Sequence, residues 1–314
     1  MSYVPAYTPR PMNKSPLFPR GLAFALAVLV AANAAAANHS ATVNGHKLTY
    51  ELRGEGRPIV FLHGGGDSAA FSFPSQIDEF AVRHQVIAPE QTGHGHTPDV
   101  AGPLSYSQMA EDTAELLRQL NLSQVDVVGW SDGGNVGLML AARHPSLVRR
   151  LVVSGANFSP SGIDPKDLME LEAASPLEIM DEAERTEYAA LTPDGAAHIP
   201  VIGGKLKDLW LHHPTPDELS PAILRTIQAR VMVMAGDHDV VPLAHTTELY
   251  RSLPNAELFI LPGTSHRTFR MRPDWVNPVI RAFLDSESVS KPNQTPEPTT
   301  TPVTAPVGQE PRRP

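Results

Sequence analysis

The chain has 314 residues, 41% of them hydrophobic and 19% charged, with a formal net charge of −9 and no cysteine. This is the composition of a globular enzyme; it offers nucleic acid no basic surface. The lack of cysteine excludes disulfides, thiolate metal sites and a cysteine nucleophile.

Up to residue 50 the chain carries Arg10, Lys14, Arg20 and Lys47 but no Asp or Glu. After Arg20 an apolar run, GLAFALAVLVAANAAAA, ends in the small residues Ala35 to Ala37. A basic flank, an apolar centre and a small-residue site read residues 1–37 as a signal peptide, which makes the protein exported, periplasmic or secreted. The alternative is an uncleaved membrane anchor. Its apolar core is short for a full span and is interrupted by Asn33. After cleavage no stable membrane span is expected.

From residue 38 to 157 strand-like and helix-like segments alternate. His46 to Leu52 (HKLTYEL) alternates polar and apolar residues, as an edge or antiparallel strand does. Pro58 to Leu62 (PIVFL) is apolar throughout, as in a strand buried on both faces, and Val86 to Ala88, Val125 to Val128 and Leu151 to Val153 repeat that character. Helical periodicity runs over Ser107 to Leu120, with Met109, Ala110, Thr113, Leu116, Leu117 and Leu120 on one face, and a second helix over Gly134 to Arg143 stops before Pro145. Residues 158–229 lack β-branched runs and are rich in Glu, Ala, Leu, Met and Pro, the pattern of a helical cap. In residues 230–286 the alternation resumes, with strands Val231 to Met234 and Leu258 to Leu261 and a helix Leu243 to Leu253. The Pro/Thr-rich residues 287–314 cannot bury apolar surface and read as a disordered tail. The fold class is therefore α/β: a doubly wound, mainly parallel sheet with a helical insertion.

Four strand ends carry residues suited to chemistry. In VDVVGWSDGG, Ser131 sits on a turn from a buried strand into a helix, where Gly129 and Gly133 allow a sharp bend and the helix N-terminus favours developing negative charge. FLHGGG (Phe61 to Gly66) ends a strand in glycines whose N–H groups can pair with that of Asp132 to hold an oxyanion; Gly65 is the expected donor and Gly64 the alternative. VMVMAGDHD places Asp237 and Asp239 just after a strand, and LFILPGTSH places His266 after the last one. A serine hydroxyl needs a base, and a histidine base needs a carboxylate to fix its tautomer. His63 is expected to bond locally and hold its loop. His94, His96, His212 and His213 lack the acidic partners and spacing of a zinc site, so no metal is expected. No dinucleotide fingerprint is present, and no cofactor is expected.

These motifs, in the order Ser…Asp…His, resemble the α/β-hydrolase family over about residues 41–286. GWSDGG looks most like biphenyl-hydrolase-like and valacyclovir-hydrolase-type enzymes. The resemblance implies Ser131 as nucleophile and His266 as base. It selects Asp239 as acid, because the family's acid stands three residues after the strand-ending glycine; Asp237 is then a loop cap. It further implies that the Asp132 carboxylate faces substrate and pairs with an ammonium. The competing reading of Asp132 is a first-turn charge stabilised by the helix dipole. Trp130 and Trp210 could line an acyl pocket or fill space beneath the cap. The expected partner is a small carboxylic ester. The same catalytic groups could serve carbon–carbon bond hydrolysis or cofactor-free perhydrolysis, and a non-catalytic binding protein on this fold is the alternative of another class.

Overall fold

The computed structural model describes residues 37–212 and 219–286. Residues 1–36 of the expected signal peptide 1–37, His213 and the expected C-terminal tail lie outside the described residues.

Eight strands form one sheet: β1 (Ala37–Val43), β2 (His46–Arg53), β3 (Arg57–Leu62), β4 (His84–Glu90), β5 (Val125–Trp130), β6 (Val148–Ser154), β7 (Arg230–His238) and β8 (Ala256–Ser265). Their order is β1-β2-β4-β3-β5-β6-β7-β8. β1 and β2 join antiparallel, as do β2 and β4, and every later pairing is parallel. β1 was not expected. ANHSATV is polar and adjoins the alanine-rich leader, yet it completes a ladder in which Ala37 faces Leu52 and Val43 faces His46.

The helices in chain order are α1 (Ala69–Ser72), α2 (Gln76–Ala81), α3 (Tyr106–Gln119), α4 (Asp132–Arg143), α5 (Pro165–Ala173), α6 (Glu182–Leu191), α7 (Ile199–His212), α8 (Pro221–Leu224), α9 (Leu243–Ser252), α10 (Thr268–Met271) and α11 (Pro273–Asp285). Helix α4 begins at Asp132, two residues before the expected start. Glycine at 133 and 134 lowers intrinsic propensity, but tertiary packing overrides it. A Cβ at Gly133 would lie 1.9 Å from the Leu62 carbonyl oxygen, so the helix start touches the end of β3 as only glycine can.

Apolar residues fill both sides of the sheet. One cluster joins Val60, Leu62, Val127 and Val153 to α3 and α4; the other joins Phe61, Val86, Val128 and Met232 to Phe73, Phe80, Ile280 and Phe283. The central strands are apolar over most of their length because both faces are covered, although β5 carries Asp126 and β6 carries Arg149 and Arg150. Every described element in residues 158–229 is helical, and no residue of α5 and only Tyr188 of α6 is buried.

Candidate active site

The turn at the end of β5 bends at a single residue. Ser131 has φ 53° and ψ −120°, a conformation that costs a non-glycine residue strain and that the surrounding contacts must hold. Its N–H donates to the Ser154 carbonyl at 2.8 Å, and its own carbonyl accepts from Gly134 and Asn135. The hydroxyl is thereby presented at the C-terminal edge of the sheet.

His266 follows β8. Its Nε2 lies 2.9 Å from Ser131 Oγ and its Nδ1 lies 2.7 Å from Asp239 Oδ1. A carboxylate only accepts, so Nδ1 carries the hydrogen and Nε2 is left to accept from the serine hydroxyl. The Asp239 side chain is fully buried, and Oδ1 also accepts from the Val241 N–H at 3.0 Å. Asp237 does other work. Its Oδ1 accepts from the Thr264 N–H at 3.0 Å, and bonds from Thr264 and Gly263 hold its carboxyl below the usual range. The structure thus brings Asp239, not Asp237, to His266.

Gly155, after β6, makes room for this pair. It has φ 63°, and a Cβ there would sit 2.7 Å from His266 Cε1 and 3.3 Å from Asp239 Oδ2. Gly155 was not foreseen as a site residue. A glycine directly after a buried parallel strand is a signal, but one shared with many innocent turns.

The HGGG loop resolves its own alternatives. The Gly64 N–H donates to Ser72 Oγ at 3.0 Å, so it is committed, and Gly65 carries the free N–H. His63 has no freedom either: Nδ1 bonds the Gly64 carbonyl at 2.8 Å and Nε2 accepts from the Gln91 N–H at 2.9 Å. Burial pushes its pKa down to about 3, with His94 adding to the effect, so the ring stays neutral and holds the loop.

Asp132 is both the residue after the turn and a junction. Its Oδ1 accepts from Tyr106 Oη at 2.7 Å, and Trp210 Nε1 lies 2.9 Å from Oδ2 and 3.1 Å from Oδ1. Burial pushes this carboxyl up, while Trp210, Tyr106 and the charge of His266 pull it back. Both oxygens are engaged, by neutral donors. The carboxylate also lies against the loop, since a Cβ on Gly65 would meet Asp132 Oδ2 at 2.2 Å and the Trp210 ring at 2.9 Å. Trp210 therefore brings the cap helix α7 onto the oxyanion loop. Trp130 sits elsewhere, its Nε1 donating to the His266 carbonyl at 2.8 Å and its ring centroid 5.2 Å from the imidazole. It braces the base. Tyr106, one residue before the expected helix Ser107 to Leu120, was not foreseen as a site residue, because a contact across 26 residues of sequence leaves no local trace.

Three other histidines weighed for metal have ordinary partners among the described residues. His94 Nδ1 bonds the Thr92 carbonyl, His96 pairs with Glu90 and His212 with Asp208.

A family model described as the alpha/beta hydrolase fold matches residues 57–200. With the sheet order and the strand-end site, this defines the class by architecture: the chain has the α/β-hydrolase fold. Within that class it resembles the serine hydrolase BPHL of Homo sapiens, with 27% identity over 250 residues, covering 77% of this chain and 84% of that protein. It is similarly related to the 2-hydroxymuconate semialdehyde hydrolase of Pseudomonas putida, at 28% identity over 248 residues, covering 71% and 85%. Among solved structures, the 2-hydroxy-6-oxo-6-phenylhexa-2,4-dienoate hydrolase of a Rhodococcus strain superposes with a TM-score of 0.67 at 21% identity, covering 80% of this chain and 99% of that one. At that identity the likeness shows the fold.

Proposed function

We propose that the chain is an exported serine hydrolase that cleaves small carboxylic esters through an acyl-enzyme. The observation that carries this reading is the unbroken contact chain from Ser131 Oγ through His266 to the buried Asp239. Ser131 Oγ attacks the ester carbonyl as its proton passes to His266 Nε2, and Asp239 stabilises the imidazolium through the Nδ1 hydrogen. The N–H groups of Gly65 and Asp132 receive the oxyanion. Collapse expels the alcohol, which takes the proton from His266. Water, deprotonated by the same imidazole, then releases the acid and restores Ser131. Trp210 and Asp132 are proposed to border the acyl group, because both press on Gly65.

A fluorophosphonate probe tests the reading. Covalent label on Ser131 of the wild type, absent from Ser131→Ala, is expected; an unlabelled wild type would point to a non-catalytic binding protein. Chromogenic esters of varied acyl length then define the pocket.

A second reading, carbon–carbon bond hydrolysis on the same residues, is favoured by the relation to 2-hydroxymuconate semialdehyde hydrolase. Turnover of 2-hydroxymuconate semialdehyde at a kcat/KM above that for every ester tried would select it. Export rests on the acid-free leader and its alanine-rich end. Mass spectrometry of the exported fraction is expected to find Asn38 at the N-terminus, and a retained Met1 would favour an anchor.

A further inference from the structure

The loop between β3 and α1 is fastened at Gly64, both of whose main-chain groups are engaged. Its carbonyl accepts from His63 Nδ1 and, at 3.3 Å, from the Asp67 N–H. Its N–H reaches Ser72 Oγ, and that hydroxyl passes its own hydrogen to Asp67 Oδ2 at 2.9 Å. Asp67 is 1% exposed, and its second oxygen, Oδ1, is buried without a hydrogen-bond partner. One bond from a neutral hydroxyl repays little of the cost of burying a carboxyl. A purely structural position would be filled better by an amide or an apolar side chain.

We propose that Asp67 and Ser72 are positioning residues for oxyanion stabilisation: the relay Asp67–Ser72–Gly64 fixes the Gly64 peptide and thereby leaves the next N–H, that of Gly65, free for the substrate oxygen. This deepens the serine-hydrolase reading and rests on it. The relay explains why the donor is Gly65 although Gly64 is equally flexible. It also explains why a hydroxyl and an acid lie behind a loop that glycines alone could build.

The surroundings make the relay sensitive to pH. Asp67 is faced by Glu184 and Glu187 of α6, by Arg267 beside the base, and by Ser72 of α1. Arg267 Nη2 is itself held by Glu184 Oε1 at 2.5 Å and Asp181 Oδ2 at 3.3 Å, while Glu187 accepts from the Ser68 hydroxyl at 2.5 Å and the Ser68 N–H at 3.3 Å. Burial, then repulsion from Glu184, pushes the Asp67 carboxyl up to about 8. Below that value it holds its proton and the relay is neutral. As pH rises through about 8 it ionises, setting a third negative charge beside Glu184 and Glu187. A buried anion one relay away from the growing oxyanion opposes it, so turnover falls on the alkaline side.

The test uses the purified full chain, a chromogenic ester and a fluorophosphonate. An unlabelled wild type would remove the hydrolase reading itself, and this proposal with it. With labelling established, Ser72→Ala and Asp67→Ala are each expected to lower kcat by roughly tenfold to a hundredfold while KM changes by less than about threefold. Asp67→Asn still accepts from Ser72 and cannot ionise. It is expected to recover most of the alanine loss and to lack the alkaline decline near pH 8 that the wild type shows. Should the alanine variants fail to fold, the Asp67→Asn profile decides alone. A wild-type alkaline decline retained in Asp67→Asn, or folded alanine variants with kcat within about twofold of wild type, would overturn the proposal.

Discussion

The strand ends of the sheet and the cap that covers them are built on different principles. In the sheet, each candidate catalytic group is set by backbone register. Ser131 follows β5, Asp239 follows β7 and His266 follows β8, and their strands lie between apolar layers. Of the cap helices α5 and α6, Tyr188 is the one buried residue. Beside the apolar contacts of α7 and of Met180, Tyr188, Leu219, Leu224 and Ile227, the cap is fastened by discrete polar ties. Trp210 reaches Asp132, Glu187 reaches Ser68, Glu184 and Asp181 hold Arg267, and Lys205 with His198 hold Asp99. A centre fixed by register tolerates no displacement, whereas a cover fixed by ties can be retuned one tie at a time. Substitutions at strand ends should therefore act on kcat, and substitutions at ties on KM, selectivity and stability.

The largest effect is expected at the centre. Ser131→Ala or His266→Ala should lower ester turnover by several powers of ten, on the order of 10⁵-fold, with an unchanged far-ultraviolet circular dichroism spectrum. Near-normal turnover in either purified variant would sink the mechanism. Next comes the acid. Asp239→Asn should cost about 10³- to 10⁴-fold in kcat, because the amide cannot hold the required tautomer, and Asp237→Asn less than about tenfold. The reverse ranking would move the role to Asp237.

Asp132 lies where the two regions meet, and its effect should be intermediate. Its donors are neutral, and its carboxyl forms no ion pair among the described residues. An ester bearing an α-ammonium should outpace its des-amino counterpart by about tenfold in kcat/KM, a preference that Asp132→Ala abolishes while keeping the backbone donor. Equal rates in the wild type would leave Asp132 as a tie and nothing more. The smallest effect on chemistry is expected at a tie that touches none of the candidate catalytic residues. Lys205 donates to both Asp99 oxygens, at 2.8 and 2.7 Å, and to the Val100 carbonyl. Lys205→Ala should destabilise the protein by about 2 kcal/mol in urea unfolding while kcat changes less than about threefold. A strong kcat loss there would mean that the cap shapes the centre directly.

The sheet and its strand-end residues were legible in the sequence because burial on both faces writes continuous apolar runs, and because sharp turns demand glycine beside the reactive residue. The ends of elements were less so. β7 runs on to His238 and β8 to Ser265, past the expected Met234 and Leu261, through an irregular pairing at Gly236 and His238 that no apolar pattern encodes. β1 was hidden by its polar, exposed residues, and α1 and α2 are too short for periodicity to register. What joins the parts was not legible at all. Tyr106 and Trp210 meet Asp132, and Ser68 meets Glu187, across distances in sequence over which only tertiary packing decides the partner.

Trp130 gives the molecule a built-in reporter. Its indole lies 5.2 Å from the His266 ring, tilted by 46°, and is tethered by its Nε1 to the main chain of that residue. Protonated imidazole is an efficient quencher of indole emission, and neutral imidazole a weak one. Steady-state fluorescence of the resting protein should therefore dim as His266 gains its proton and brighten as it loses it. A Trp130→Phe variant supplies the blank for light from Trp210 and Trp275. The protonation state of the base can in this way be followed optically, without any substrate, in the same cuvette in which turnover is later measured.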